Sequence, residues 1–108
     1  MTDNRIVRIE NWDRRRPLCK RFGMRAAVVY EGTNESGGRL VACDQRIRVK
    51  TWANAKLGPP LQLIQTGTGT EDRQWVNTRS EWYQGYNDRG EYVIAFQNPR
   101  WRDWALLL

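Results

Sequence analysis

Histidine is absent from this 108-residue chain, and cysteine occurs only at Cys19 and Cys43. Without imidazole there is no His general base, no Ser-His-Asp or Cys-His nucleophile system and no histidine-ligated metal. Two thiols cannot form a four-thiolate zinc site. They read as reduced thiols of a cytoplasmic protein better than as a disulfide framework. Long apolar runs are also missing. The longest span five residues, as at Tyr92–Phe96, and a membrane span needs about twenty. The opening residues Met1–Arg5 are polar and lack the apolar stretch of a secretory signal.

Aliphatic residues are scarce as well. Leu, Ile, Val and Phe total 22, close to the level below which chains stay disordered. Six Trp and four Tyr compensate, because each aromatic side chain buries roughly 150–250 Å². A folded domain with an aromatic-rich core is therefore expected. The length fits one domain, residues 1–108.

Charge is unevenly spread. There are 18 basic and 12 acidic residues, a net charge of +6, and 15 of the basic residues are Arg. The whole excess lies in residues 1–54. The densest stretch holds Arg14, Arg15, Arg16, Lys20, Arg21 and Arg25 with no acid among them. Such a field attracts polyanions or an acidic protein surface.

The apolar pattern is mostly that of strands. Arg5–Ile9, Met24–Tyr30, Leu61–Gln65 and Arg73–Thr78 are β-branched or aromatic segments bounded by turn residues. Gly32–Gly38 reads as a turn. Arg39–Cys43 and Gln45–Trp52 read as one bent strand or two short ones. The clearest signal is a hairpin over Glu81–Gln97, turning at Asn87-Asp88-Arg89-Gly90. Tyr92, Ile94 and Phe96 would share one of its faces, opposite Trp82, Gln84 and Tyr86. Asn98-Pro99 opens a C-terminal helix, and Pro17–Phe22 fits one helical turn ended by Gly23. The fold class expected is mainly β, an antiparallel barrel or sandwich with a short C-terminal helix; α+β is the alternative.

One pattern points to chemistry. As a strand, Gln45–Trp52 would place Arg46, Arg48, Lys50 and Trp52 on one face, about 6.6–6.8 Å apart. A basic ladder ending in an indole suits single-stranded nucleic acid: cations follow the phosphates and the ring stacks a base. Arg14, Arg15 and Arg16 would extend that surface. Trp12 and Trp52 flank the basic segments, so they are the aromatic candidates for partner contact. Trp101 and Trp104 are expected in the core.

Enzyme sites are not apparent. Glu71-Asp72 is an adjacent pair, and neighbours on an extended chain point apart. Thr66–Thr70 lacks the Gly-Lys-Ser/Thr end of a phosphate loop. The expectation is a binding module without catalysis, metal or cofactor. Its partner would be anionic, nucleic acid first and an acidic protein surface second. The alternatives are a Trp/Arg protein-interaction module, homodimers included, and an aromatic-lined ligand domain.

Overall fold

The computed structural model describes the backbone of residues 7–30 and 36–108, and the side chains of residues 7–30 and 45–108. Arg5 and Ile6 of the expected first strand, residues 32–35 of the expected turn and the Cys43 side chain lie outside the described residues. The chain runs β1 (Val7–Asn11), α1 (Pro17–Phe22), β2 (Ala26–Tyr30), α2 (Ser36–Leu57), β3 (Gln62–Gln65), β4 (Arg73–Val76), β5 (Trp82–Tyr86), β6 (Tyr92–Phe96) and α3 (Pro99–Ala105).

The protein is mainly β, with six strands among the described residues and the short C-terminal helix its patterning predicts. β1, β2, β6 and β5 lie side by side, in that order, in one antiparallel sheet; β3 and β4 form a second. The sheet order leaves two open ends, so no barrel closes and the elements stack as layers.

The middle strands carry the core. β2 (Ala-Ala-Val-Val-Tyr) and β6 (Tyr-Val-Ile-Ala-Phe) are buried at every position. A strand covered on both faces reads as a continuous apolar run, which is why these two segments do not alternate. On one face Val28, Tyr30, Trp82, Tyr92, Ile94 and Phe96 meet α2 and α3 through Val49, Ala53 and Ala105. On the other, Ala27, Val29, Tyr83, Val93 and Ala95 meet Trp12, Met24 and Leu61, with Leu18, Phe22 and Trp75 packed around them. These last residues belong to α1 and β4, so the main sheet has a layer on each side.

Local chemistry explains the shorter elements. The hairpin turns where its sequence predicts. The Gly90 N–H donates to the Asn87 carbonyl at 3.0 Å, and the Asn87 side-chain oxygen accepts from the Arg89 and Glu91 N–H groups. Trp82 stacks on Phe96 across the ladder, and Tyr86 meets Tyr92 edge-on. Pro17 starts α1, and Gly23, at φ 79°, ends it in the left-handed cap that an L side chain resists. Asn98 caps α3 by accepting from the Arg100 N–H at 3.0 Å.

The largest departure from expectation is α2. The segments read as strands over Arg39–Cys43 and Gln45–Trp52 lie in one 22-residue helix, which also takes in residues 36–38 of the expected turn. As a strand, Ile47 and Val49 would share a face. Val49 is fully buried, whereas Ile47 is 60 % exposed. Val49, Trp52, Ala53 and Leu57 are the positions that pack on the core. Their spacing of i, i+3, i+4 and i+8 is helical. Gly58, at φ 87°, stops the helix, its N–H bonding the Asn54 carbonyl, and Pro59 follows.

Candidate functional site

The helix dissolves the predicted basic ladder. At 3.6 residues per turn, Arg46 and Lys50 share one side of α2 and Arg48 lies opposite. The Arg46 guanidinium sits 4.4 Å from the centre of the Tyr92 ring, with the Lys50 ammonium 5.8 Å away. Both cations are thus spread on the aromatic edge of the core. Trp52 is half-buried, 6.2 Å from Phe96 and 6.2 Å from Trp101, and is a packing residue. Arg46, Arg48, Lys50 and Trp52 do not form a common surface.

Arg14, Arg15 and Arg16 occupy a tight turn between β1 and α1. The Trp12 N–H bonds the Arg25 carbonyl at 2.7 Å, which holds the start of this turn against the start of β2. The Arg16 N–H then bonds the Asp13 carbonyl at 2.9 Å, and Pro17 begins α1. The three side chains have different fates.

Arg15 is paired with Asp13 at 2.7 Å, and its backbone N–H donates to the same carboxylate. These hydrogen bonds, with the Arg15 charge, hold the Asp13 carboxyl down at about 2. Arg16 lies over the Trp12 ring at 5.2 Å and reaches Glu10 at 3.2 Å. Glu10 also accepts from the Trp12 indole at 2.9 Å and from Arg8 at 2.9 Å. Partial burial pushes the Glu10 carboxyl up. The bonds from Trp12 and Arg8, and the charges of Arg8 and Arg16, outweigh it and leave the group below its ordinary value.

Arg14 differs: it has no acidic partner among the described residues. It lines an open groove of about 890 Å³ with Lys20, Arg25, Gly23 and Gln97. Lys20 and Arg25 likewise have no acidic partner among the described residues. Asp13 is the only carboxylate in the wall among the described residues, and Arg15 engages it. This leaves three uncompensated cations in one concavity, which concentrates positive potential there.

The same turn also borders an aromatic groove. This second groove, of about 470 Å³, is lined by Leu18, Leu63, Trp75, Tyr83 and Tyr86 together with Arg15, Arg16 and the acidic Asp88. Trp75 is braced against Phe22 at 5.1 Å and Tyr83 at 6.0 Å. Tyr86 is 64 % exposed at the end of β5. The turn therefore borders both a cationic groove and an aromatic one.

Two further Trp expectations change. Trp12 is 8 % exposed, covered by Arg16 and bonded to Glu10, and packs into the core. Trp104 is 58 % exposed instead of filling the core. No three Cys, Asp or Glu converge in a metal-like grouping among the described residues. No described helix is long and apolar enough to cross a membrane. The sequence marked Lys20 and Arg25 as part of the basic run, but left Trp75 and Tyr86 as ordinary strand residues. The α1 stop at Gly23 was the available signal, since it returns the chain toward Arg14.

No protein-family model, curated protein or solved structure matches the chain.

Proposed function

We propose that this protein is a non-enzymatic binding module for an anionic partner, with single-stranded nucleic acid as the best fit. The observation that carries this reading is the pair of grooves at the Arg14–Arg16 turn. Arg14, Lys20 and Arg25 supply cations for phosphates, and Tyr86 and Trp75 supply ring faces for a base. Binding of unpaired strands needs both features side by side.

The test is a fluorescence-anisotropy titration with labelled single-stranded DNA and RNA over a salt series. Three phosphate contacts give a slope of log affinity against log salt near about −2. Arg14→Ala lowers that slope by about 0.7, while Arg48→Ala, on the outer side of α2, leaves it unchanged. Tyr86→Ala weakens binding by about tenfold without changing the slope. Absence of binding at low salt by folded protein overturns the proposal, as does binding equally weakened by Arg48→Ala.

A further inference from the structure

The main sheet has two edges, and they are finished differently. Along β5, Leu61 donates its N–H to the Trp82 carbonyl at 2.7 Å and accepts from the Gln84 N–H at 3.1 Å, covering part of that strand. The β1 edge has no such cover among the described residues.

The hydrogen-bond phase of the sheet shows what β1 presents. The Asn87 N–H bonds the Glu91 carbonyl and the Gln97 N–H bonds the Glu81 carbonyl, so odd-numbered β6 residues turn their main-chain groups toward β5. Even-numbered β6 residues then face β2, and odd-numbered β2 residues face β1. The Trp12 bond to Arg25 agrees. Arg8 and Glu10 therefore point their main chain inward, and Val7, Ile9 and Asn11 point theirs out. None of these outward main-chain groups has a partner among the described residues. The Ile9 side chain is 53 % exposed.

We propose that β1 is a self-association edge, pairing antiparallel with β1 of a second copy about a twofold axis through Ile9. The order Val-Arg-Ile-Glu-Asn is complementary to itself when reversed about its centre. That axis sets Arg8 against Glu10 of the second copy, Val7 against Asn11 and Ile9 against Ile9. Moving the axis to Arg8 or Glu10 sets like charges opposite one another, which is unfavourable. Moving it by half a step turns the Ile9 face onto the Arg8 and Glu10 face. The Arg8–Glu10 positions fall between the hydrogen-bonded pairs, where strands hold side chains closest. Edge strands are kept from their own copies by charged side chains, Pro or a bulge; β1 has no Pro and a regular register with β2, and its two charges, Arg8 and Glu10, are of opposite sign. A five-residue ladder is small beside the about 1,200–2,000 Å² of a stable interface, so the association is weak and concentration-dependent.

Sedimentation equilibrium over a concentration series tests this, together with hydrogen exchange of the wild-type protein. The wild type shows a twofold rise in mass with concentration, and exchange of the Ile9 amide slows in step. Ile9→Lys places two ammonium groups at the axis and keeps the single-chain mass throughout. Ile9→Pro removes an N–H that faces away from β2, so the fold and its circular dichroism persist while the mass rise is lost. A wild-type mass of one chain up to about 1 mM overturns the proposal. A mass rise retained in both variants, or an Ile9 amide indifferent to concentration, also overturns it.

Discussion

The Arg102 guanidinium of α3 reaches across to β1, donating to the Asn11 side-chain oxygen at 2.7 Å and to the Glu10 carbonyl at 3.0 Å. Arg102 is only 8 % exposed. One side chain thus fastens the last helix to the first described strand. Arg102→Met keeps the stem packing and removes both bonds, and each hydrogen bond from a charged donor is worth about 1.5–3 kcal/mol. The expected loss is about 2–3 kcal/mol in a urea titration. Asp103, mostly exposed beside it at 3.3 Å, contributes little, and Asp103→Asn stays close to wild type.

Residues 47 and 49 distinguish a helix from a strand directly. Val49→Ala removes two buried methyl groups and costs about 2 kcal/mol. Ile47→Ala falls on the open side of α2, where Ala is the better helix former, and stays within about 0.5 kcal/mol of wild type or gains slightly. Equal sensitivity at the two sites in denaturant titrations would contradict the helix.

The same pair shows why this segment misleads. Arg46 to Lys50 alternates polar and apolar residues, which is the two-residue period of a strand. The helix tolerates that pattern because Arg46 and Lys50 are long enough to lay their charges on the Tyr92 ring while sitting on the inner side. A longer window resolves the choice: Val49, Trp52, Ala53 and Leu57, then Gly58-Pro59, form a helical face and a helix stop. The hairpin and the capped helices were legible because their turn residues act locally, at Asn87–Gly90, Asn98-Pro99 and Gly23. The basic turn was legible as composition. Its division into a compensated Arg15 and Arg16 and an uncompensated Arg14 depends on tertiary placement of Glu10, Lys20 and Arg25. Tyr86 and Trp75 become a groove only once β4 packs beside α1, and no spacing along the chain encodes that.

Acid should loosen the β1 end of the fold. Glu10, Asp13 and Glu91 all have lowered pKa values: Glu91 chiefly through its bond from Asn87, Asp13 through Arg15, and Glu10 through Trp12 and Arg8 against the opposing effect of burial. A carboxyl whose value is lower folded than unfolded binds more protons in the unfolded chain. Its stabilisation is present above the ordinary carboxylate range and is lost as pH falls through and below that range. Melting temperature therefore falls between about pH 5 and about pH 2. Glu10→Gln flattens that decline, and a decline as steep as in the wild type would rule out Glu10 as a contributor.

Gly85 is fixed by its neighbour. A Cβ at this position would meet the hydroxyl end of the Tyr83 ring, which lies over the glycine on the same face of β5. Gly85→Ala must displace a side chain that is 5 % exposed and packed against Trp75. The expected cost is about 1–3 kcal/mol. A double-substitution cycle with Tyr83→Ala should show coupling, the pair losing less than the sum of its members.

The two central strands have a cost that appears only when the fold opens. Ala26–Tyr30 and Tyr92–Phe96 contain no charged residue and no proline, and are rich in β-branched and aromatic side chains. Such segments are strong templates for cross-β stacking once exposed. In the native sheet β1 and β5 flank them, and Arg25 and Glu91 stand at their starts as gatekeepers. Heating a concentrated sample takes β1 and β5 away together and leaves only Arg25 and Glu91 as guards, so thermal unfolding ends in precipitate. Chemical denaturant at high dilution is the regime in which the chain returns to its starting state.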